Sequence, residues 1–142
     1  MHSITKALGP ALLGMLLLGM QGCGVPSAKP MAEAAVTVFH SQLDAEQFDA
    51  IWDGADDLFR SKTSREEYAK FVGAVHKKLG SVVNTTAQGW SVNYINFQTR
   101  VVLRQETQFA NGSANETFLY IVKGNSVKLA GYNISSNDLI TL

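Results

Sequence analysis

Residues that bind a transition metal or attack a carbonyl group are few in this chain. It contains one cysteine, Cys23, and three histidines, two of which, His40 and His76, fall in helical segments far apart in the sequence. Zinc sites take Cys and His ligands at tight spacing, and the Gly-x-Ser-x-Gly turn of a serine hydrolase is absent. We therefore expect no metal, no cofactor and no covalent nucleophile, and we expect each histidine to be an ordinary core or surface residue.

Carboxylates offer the remaining possibility for catalysis, because some enzymes hold one in an apolar cavity as a general base. One face of the longest predicted strand carries Gln105 and Thr107 but no acid, and Glu106 points to the opposite face. Glu116 opens the next strand directly after a turn, which predicts a position at the rim. An enzyme that uses Glu116 or His40 is therefore kept as an alternative, and the favoured interpretation is a protein that binds without catalysing.

Six acidic residues lie close together between Asp44 and Asp57. Several of them share one face of a predicted helix, and carboxylate oxygens are the ligands that Ca²⁺ prefers. The spacing and the central glycine of an EF-hand loop are absent. This cluster therefore predicts a solvated helix surface and no cation site.

The first residues of the chain have the pattern of a secretory signal. Lys6 precedes an apolar run of about 14 residues, Ala7–Met20, which is too short to cross a hydrocarbon core about 30 Å thick as a helix. Gly22 directly before Cys23 resembles the lipobox of bacterial lipoproteins. The resemblance implies a signal peptide over residues 1-22 and lipidation of Cys23. Simple secretion, or an uncleaved anchor, remains the alternative.

The composition after Cys23 predicts a single domain. About 120 residues are enough to bury a core, and without a second cysteine that core is held by packing alone. The whole chain has 12 basic and 12 acidic residues, so electrostatics give no basis for nucleic-acid binding. The predicted organisation is the signal peptide, a lipidated Cys and flexible tether over 23-31, and one domain over 32-142.

Three helical segments precede the strands. Apolar residues three and four positions apart predict helices over Met31–Leu43 and Asp44–Arg60, the second bent or divided at Gly54. The third helix begins with the capping-box pattern of Ser64 to Glu67 and ends before Gly80.

After the helices the apolar period changes from 3.6 to 2. The predicted strands are Ser81–Thr86, Trp90–Asn96, Thr99–Phe109, Glu116–Lys123 and Ser126–Ser135. In the longest strand Val101, Leu103, Gln105, Thr107 and Phe109 share one face, and Arg100, Val102, Arg104, Glu106 and Gln108 share the other. Turn signals at Asn111–Ser113 and Gly124–Asn125 join the last strands into hairpins.

This order predicts an α+β fold with N-terminal helices on one face of a curved antiparallel sheet. It resembles the NTF2-like (cystatin-like) superfamily, whose sheet forms a half-open cone. The resemblance to a family of uncharacterised bacterial secreted proteins, DUF4019, is closer. The segments that resemble this family are Trp52–Phe59, Leu79–Val82, Gln105–Asn111, Glu116–Phe118 and Leu129–Ile134. The resemblance implies a fold and a secreted compartment, and no activity that transfers.

The remaining candidates are aromatic and basic residues. Trp52, Trp90, Tyr94, Tyr120 and Tyr132 predict either a core or the lining of a small-ligand pocket, and the last two need partners for their hydroxyls if they are buried. Arg100 and Arg104 mark the exposed face of the long strand as a candidate partner surface. The full set of ligand or partner candidates is Trp52, Trp90, Arg100, Arg104, Gln105, Thr107, Glu116, Tyr120 and Tyr132.

The sequence as a whole favours a periplasm-facing lipoprotein whose domain binds a protein partner through its open sheet face. An immunity or inhibitor role and an envelope-associated role are two forms of this hypothesis. A cone that binds a small apolar ligand is the second class, and the cavity enzyme is the third. The partner, the membrane that holds the anchor and the presence of a homodimer stay open.

Overall fold

The computed structural model describes residues 27–140, so Cys23 and the predicted signal peptide lie outside the described residues. The helices are α1 (Ala28–Asp44), α2 (Phe48–Gly54), α3 (Asp57–Arg60) and α4 (Arg65–Leu79). The strands are β1 (Val82–Ile95), β2 (Gln98–Phe109), β3 (Gly112–Lys123) and β4 (Ser126–Ser135), and a short 3-10 helix covers Asn137–Leu139. Helices followed by an antiparallel sheet confirm the α+β class.

The first helix starts earlier than the sequence predicts. It begins at Ala28 instead of Met31, because Pro30 falls in the first turn, where a missing backbone N–H costs no helical hydrogen bond. The C-terminal part of the predicted tether is therefore helical. The bounds predicted for the domain itself stay a prediction.

The predicted division of the second helical segment is confirmed. The chain leaves α2 at Gly54, and Ala55 is extended with ψ 164°. Asp56 then caps α3, its carboxylate accepting a hydrogen bond from the Leu58 N–H. The backbone N–H of Asp56 also bonds the carbonyl of Leu129, which attaches this corner to β4.

The capping box predicted for α4 is present. The Ser64 side chain accepts a hydrogen bond from the backbone of Glu67, and the Glu67 carboxylate accepts one from the backbone of Ser64. The helix ends at Leu79, and Gly80 follows with φ 78°, a conformation that favours glycine. Local sequence alone therefore sets both ends of this helix.

The four strands form one antiparallel meander in the order β1-β2-β3-β4. The prediction of two separate strands before β2 is wrong, because Val82–Ile95 is continuous. A β-bulge between Ala87 and Gly89 shifts the register with β2 by one residue, and the strand continues through it. Asn96 and Phe97 form the tight turn to β2 with φ 51° and 62°, the left-handed conformation that two-residue hairpins require.

The helices pack on one face of the sheet, which we call the inner face. Val101, Leu103, Thr107 and Phe109 of β2 are buried there, as the alternation predicted. The core combines them with residues of the other strands and of the helices, among them Phe39, Leu43, Val72, Leu79 and Phe118. The opposite side, the outer face, presents the exposed residues Arg104, Glu106 and Gln108.

Helix α1 runs along β1 in the opposite direction. Near its end the Asp44 carboxylate accepts a hydrogen bond from the N–H of Val82, at the start of β1. Near its beginning the ammonium of Lys29 lies 5.5 Å from the ring centroid of Trp90. The N-terminus of α1 therefore lies at the end of the molecule where the β1–β2 hairpin turns. Within residues 27–140 no helix is both long and apolar enough to span a membrane.

Candidate functional site

A buried carboxylate lies on the inner face near the middle of the sheet. Glu116 of β3 is 1% exposed and is paired in register with Gln105 of β2 and Ile134 of β4. The prediction that Glu116 lies at the rim is wrong. Strand β3 begins at Gly112, earlier than the sequence predicted, so the glutamate sits well inside the strand and beneath the helices.

Four side chains from three elements donate hydrogen bonds to the Glu116 carboxylate. Its Oε2 accepts from His40 Nε2 of α1 at 2.8 Å, from Thr107 Oγ1 at 2.5 Å and from Gln105 Nε2 at 3.3 Å. Its Oε1 accepts from the Tyr132 hydroxyl of β4 at 2.6 Å. We call Glu116 and these four donors the glutamate cluster. It connects α1 with three of the four strands.

The surroundings of Glu116 act on its pKa in opposite directions. Burial would raise the pKa, but the hydrogen bond and charge of His40 and the hydrogen bonds of Thr107 and Tyr132 outweigh it. The pKa therefore lies below its ordinary value of 4.5, and the carboxylate is charged at neutral pH. Burial and the charge of Glu116 raise the pKa of Tyr132 well above its ordinary range, so its hydroxyl remains a neutral donor.

A histidine oriented by a buried carboxylate is the arrangement that positions a general base in many enzymes. Here the carboxylate has donors on both oxygens, and aromatic rings fill the space around it. The rings of Phe39, Phe118 and Tyr132 have centroids 4.7 to 5.1 Å apart. The glutamate cluster is therefore suited to holding α1 against the sheet with a charge-assisted network.

Two shallow pockets touch members of the glutamate cluster from the surface. One of about 330 Å³ is lined by Tyr132 together with Phe59, Tyr68 and Phe71. The other, of about 340 Å³, is lined by His40 with polar residues of α1 and the first residues of β1. The first pocket has the apolar, aromatic lining typical of small-ligand sites.

The structure brings four of the nine predicted candidates into the glutamate cluster: Gln105, Thr107, Glu116 and Tyr132. Tyr120 is buried beside them, its ring stacked on Phe118 with centroids 6.2 Å apart. Burial and the charge of Glu116 raise the pKa of Tyr120.

Trp52 lies apart from the cluster and connects the helices. It is half-buried in α2, and its indole N–H donates a hydrogen bond to the carbonyl of Thr63 at 3.2 Å. The guanidinium groups of Arg60 and Arg65 lie 5.8 and 5.0 Å from its ring centroid. These contacts account for Trp52 as a packing residue between α2 and the start of α4.

Arg100 and Arg104 lie on the outer face, as predicted. Arg104 is exposed and pairs in register with Thr117. Arg100 is half-buried beside its register partner Ile121, and its Nε is buried with no hydrogen-bond partner among the described residues. The two cations therefore flank an apolar centre of the outer face.

Exposed apolar side chains concentrate in β1 and its turn. Of the nine large hydrophobic residues that are exposed in the described chain, six lie between Val83 and Phe97. Register places Trp90, Val92 and Tyr94 on the inner face, opposite Leu103, Val101 and Thr99, and Phe97 at the turn is 93% exposed. We call Trp90, Val92, Tyr94 and Phe97 the overhanging strip.

His40 is the member of the glutamate cluster that is not among the nine predicted ligand or partner candidates, although the enzyme alternative named it together with Glu116. It was expected to be an ordinary core or surface residue, and its ring is indeed buried, at 7% exposure. A signal was present, because His40 follows Val36 by four residues on the stripe that faces the core. A polar ring on a buried stripe needs a hydrogen-bond partner.

The comparison with protein families finds a match over most of the described residues. A model described as a protein of unknown function (DUF4019) matches residues 34–132. This chain belongs to the DUF4019 family. No curated protein shows significant sequence similarity to it.

The DUF4019 match extends from the first turns of α1 to the inner part of β4. It therefore contains every residue of the glutamate cluster and the whole β1–β2 hairpin. Among the described residues of this DUF4019 domain, no group of three His, Cys, Asp or Glu side chains is arranged to hold a metal ion.

Proposed function

We propose that this DUF4019 protein is a lipid-anchored, periplasm-facing module that binds a protein partner through the outer face of its sheet and does not catalyse. In this proposal the domain is of the NTF2-like (cystatin-like) type, Cys23 carries the lipid, and the helix side of the domain is structural. A periplasmic toxin, for an immunity or inhibitor role, and an envelope protein are the two partner classes that the proposal includes.

The composition of the outer face is the observation that carries this proposal. Val102 and its register partner Leu119 lie half-buried at its centre, between the cations Arg100 and Arg104. The helices of the described chain pack against the other face. An apolar centre with a charged rim is the usual composition of a protein–protein interface.

The unpaired donor of Arg100 supports the same surface. Its Nε is buried and without a partner among residues 27–140, and a buried unpaired donor costs about 1–3 kcal/mol. A shift of the Arg100 side chain toward a carboxylate or carbonyl of a partner on the outer face would give this donor an acceptor. We therefore expect the partner to present acceptor groups there.

A photo-crosslinking amino acid in place of Val102 tests the binding surface in intact cells. We expect a crosslink to one protein species. The matched control is the same substitution at Ala74, an exposed position of α4 on the helix side, where no crosslink is expected. In the chain that carries the crosslinking amino acid at position 102, Arg104→Glu should reduce the yield of the crosslink several-fold, because it reverses a charge at the rim of the binding surface. Lys70→Glu on α4 should leave the yield unchanged.

Three outcomes would contradict the proposed binding surface. The first is no crosslink from position 102, and the second is an equal crosslink from position 74. The third is a product of twice the mass of the chain, which would make the outer face a homodimer interface.

The lipid anchor is tested separately with Cys23→Ser in the full chain. We expect the wild-type protein in the membrane fraction and the variant in the soluble fraction, because the lipid is attached to this thiol in the proposal. Fractionation followed by immunoblotting makes the measurement, with an unrelated lipoprotein as the loading control. Retention of the Cys23→Ser variant in the membrane would refute lipidation.

A small apolar ligand is the second candidate function, favoured by the pocket of about 330 Å³ between α4 and β4. Its aromatic lining would enclose a hydrophobic molecule of modest size. A fluorescent apolar dye that reports on hydrophobic pockets tests it. Saturable dye binding that is lost in Phe71→Ser, a change at an exposed wall residue, would favour this function over partner binding.

A further inference from the structure

We infer that the overhanging strip docks the domain onto the lipid surface to which the chain is anchored, by placing Trp90, Val92, Tyr94 and Phe97 in the headgroup region. This inference rests on the lipid anchor of the proposed function, and it adds a second membrane contact and an orientation. The outer face then remains available to the partner.

The exposure of the strip follows from the relative lengths of α1 and the β1–β2 hairpin. Trp90 lies beside the N-terminal end of α1, as the 5.5 Å contact with Lys29 shows. Strand β1 continues for five residues beyond Trp90, about 17 Å at the rise of an extended strand. Within residues 27–140, no helix therefore lies beneath the inner-face side chains of this extension.

Helix α1 begins at this same end of the domain. Four residues lie between Cys23 and Ala28, where α1 begins, so the distance from Cys23 to Ala28 is at most about 17 Å even when the chain is fully extended. A lipid on Cys23 would hold the N-terminus of α1 within that distance of the membrane. The hairpin extends from the beginning of α1 toward the same side, so the strip lies on the side of the domain that faces the lipid.

The residue types of the strip match a lipid interface. Tryptophan and tyrosine are enriched at the headgroup level, where their amphipathic rings are favourable. Trp90 is 56% exposed and Tyr94 is 69% exposed, so both rings are accessible without any rearrangement of the core.

Charge contributes little to this docking surface. The ammonium of Lys29 beside Trp90 is paired with Glu33 at 2.5 Å, which offsets the attraction to anionic headgroups. We therefore expect the contact to depend on apolar burial and to change little with ionic strength. A basic patch would lose affinity as salt screens it.

The test uses the intrinsic fluorescence of the full lipid-anchored chain in vesicles of phosphatidylethanolamine and phosphatidylglycerol, with and without brominated acyl chains. The chain has two tryptophans, so Trp52→Phe leaves Trp90 as the only emitter. We expect brominated lipid to quench the Trp90 emission roughly twofold, because interfacial residues lie within about 5–10 Å of the headgroup boundary. Trp90→Phe, which leaves Trp52 between α2 and α4, is the matched control and should show no quenching.

Replacing Tyr94 and Phe97 with serine in the Trp52→Phe background should remove most of the quenching of Trp90. These side chains are exposed, so folding should be retained, which circular dichroism checks. Quenching that is unchanged in this variant would contradict a role for the strip.

The outcomes separate the inference from the proposed function. A chain that floats with the vesicles while its Trp90 emission is unquenched would overturn the inference and leave the anchor intact. A wild-type chain that does not float would overturn both. A blue shift of Trp90 that depends on protein concentration, together with no lipid quenching, would assign the strip to a second copy of this chain and overturn the inference.

Discussion

Glu116→Ala should destabilise the domain by about 3–5 kcal/mol, the range for breaking a buried charged network by removing one partner. The change removes the acceptor shared by His40, Thr107, Gln105 and Tyr132. The buried donors of His40 and Thr107 and the hydroxyl of Tyr132 then lose this acceptor, while Gln105 keeps its hydrogen bond to Thr107. Unfolding in urea followed by circular dichroism measures the difference in free energy.

The matched control for Glu116→Ala is Glu106→Ala. Glu106 is a glutamate on the neighbouring strand, but it is exposed on the outer face. Surface substitutions of this kind usually stay within about 0.5 kcal/mol. If both alanine variants lose the same free energy of unfolding, the glutamate cluster has no special role in stability.

Glu116→Gln provides a second measurement if the alanine variant does not fold. The amide keeps the size of the side chain and one acceptor oxygen but loses the charge, so its cost should be smaller. The difference between wild type and this variant should depend on pH with a definite sign. The pKa of Glu116 is lowered in the folded protein relative to 4.5, so its contribution is fully present above about pH 4.5.

Below that pH the unfolded chain binds the proton first, and the contribution of Glu116 is progressively lost as the pH falls toward its lowered folded-state pKa. The difference in stability between wild type and Glu116→Gln should therefore shrink in acid. A difference that stays constant from neutral pH to pH 3.5 would show that the charge of Glu116 does not stabilise the fold.

Elements whose ends depend on nearby residues were predictable from the sequence. Helix α4 is the clearest case, because its capping box and its C-terminal Gly80 are all local signals. The two faces of β2 were also predictable, since an alternating strand long enough to pair on both sides has one consistent register. These features fix the α+β class.

The position of Glu116 could not be predicted, because it depends on contacts between distant parts of the chain. Its strand begins at Gly112, inside the predicted turn Asn111–Ser113. Its partner on α1, His40, is 76 residues away in the sequence. Hydrogen-bond partners across such a distance leave no local pattern. Gln105 and Thr107 were therefore predicted to form an interior row without an acid, and Glu116, which completes the row from the next strand, was placed at the rim.

The overhanging strip was unpredictable for a different reason. Its residues alternate as core residues do, and Trp90 and Tyr94 were therefore assigned to a core or a pocket lining. Their exposure follows from the difference in length between α1 and the hairpin, which appears only when the helix is placed on the sheet. The residues around Gly89 were predicted to separate two strands, but they form a bulge within one continuous strand.

Phe118→Ala should cost about 3–5 kcal/mol, as large-to-small changes of buried aromatic residues do. Phe118 is fully buried on the inner face, and its ring contacts the rings of Phe39, His40 and Tyr132 with centroids 5.0, 5.8 and 5.1 Å away. No small shift of the backbone can close the resulting cavity, because the surrounding rings belong to a helix and to a neighbouring strand. Thermal or urea unfolding measures the loss.

The matched control for Phe118→Ala is Leu119→Ala, one residue further along β3. Leu119 points to the outer face, is half-buried, and pairs with Val102 and Gly131. We expect a clearly smaller loss of stability there but a weaker crosslink from position 102, because the proposal places Leu119 in the partner surface. Equal destabilisation by the two variants would mean that the outer face is packed as tightly as the core, and the proposed binding surface would then lack an accessible centre.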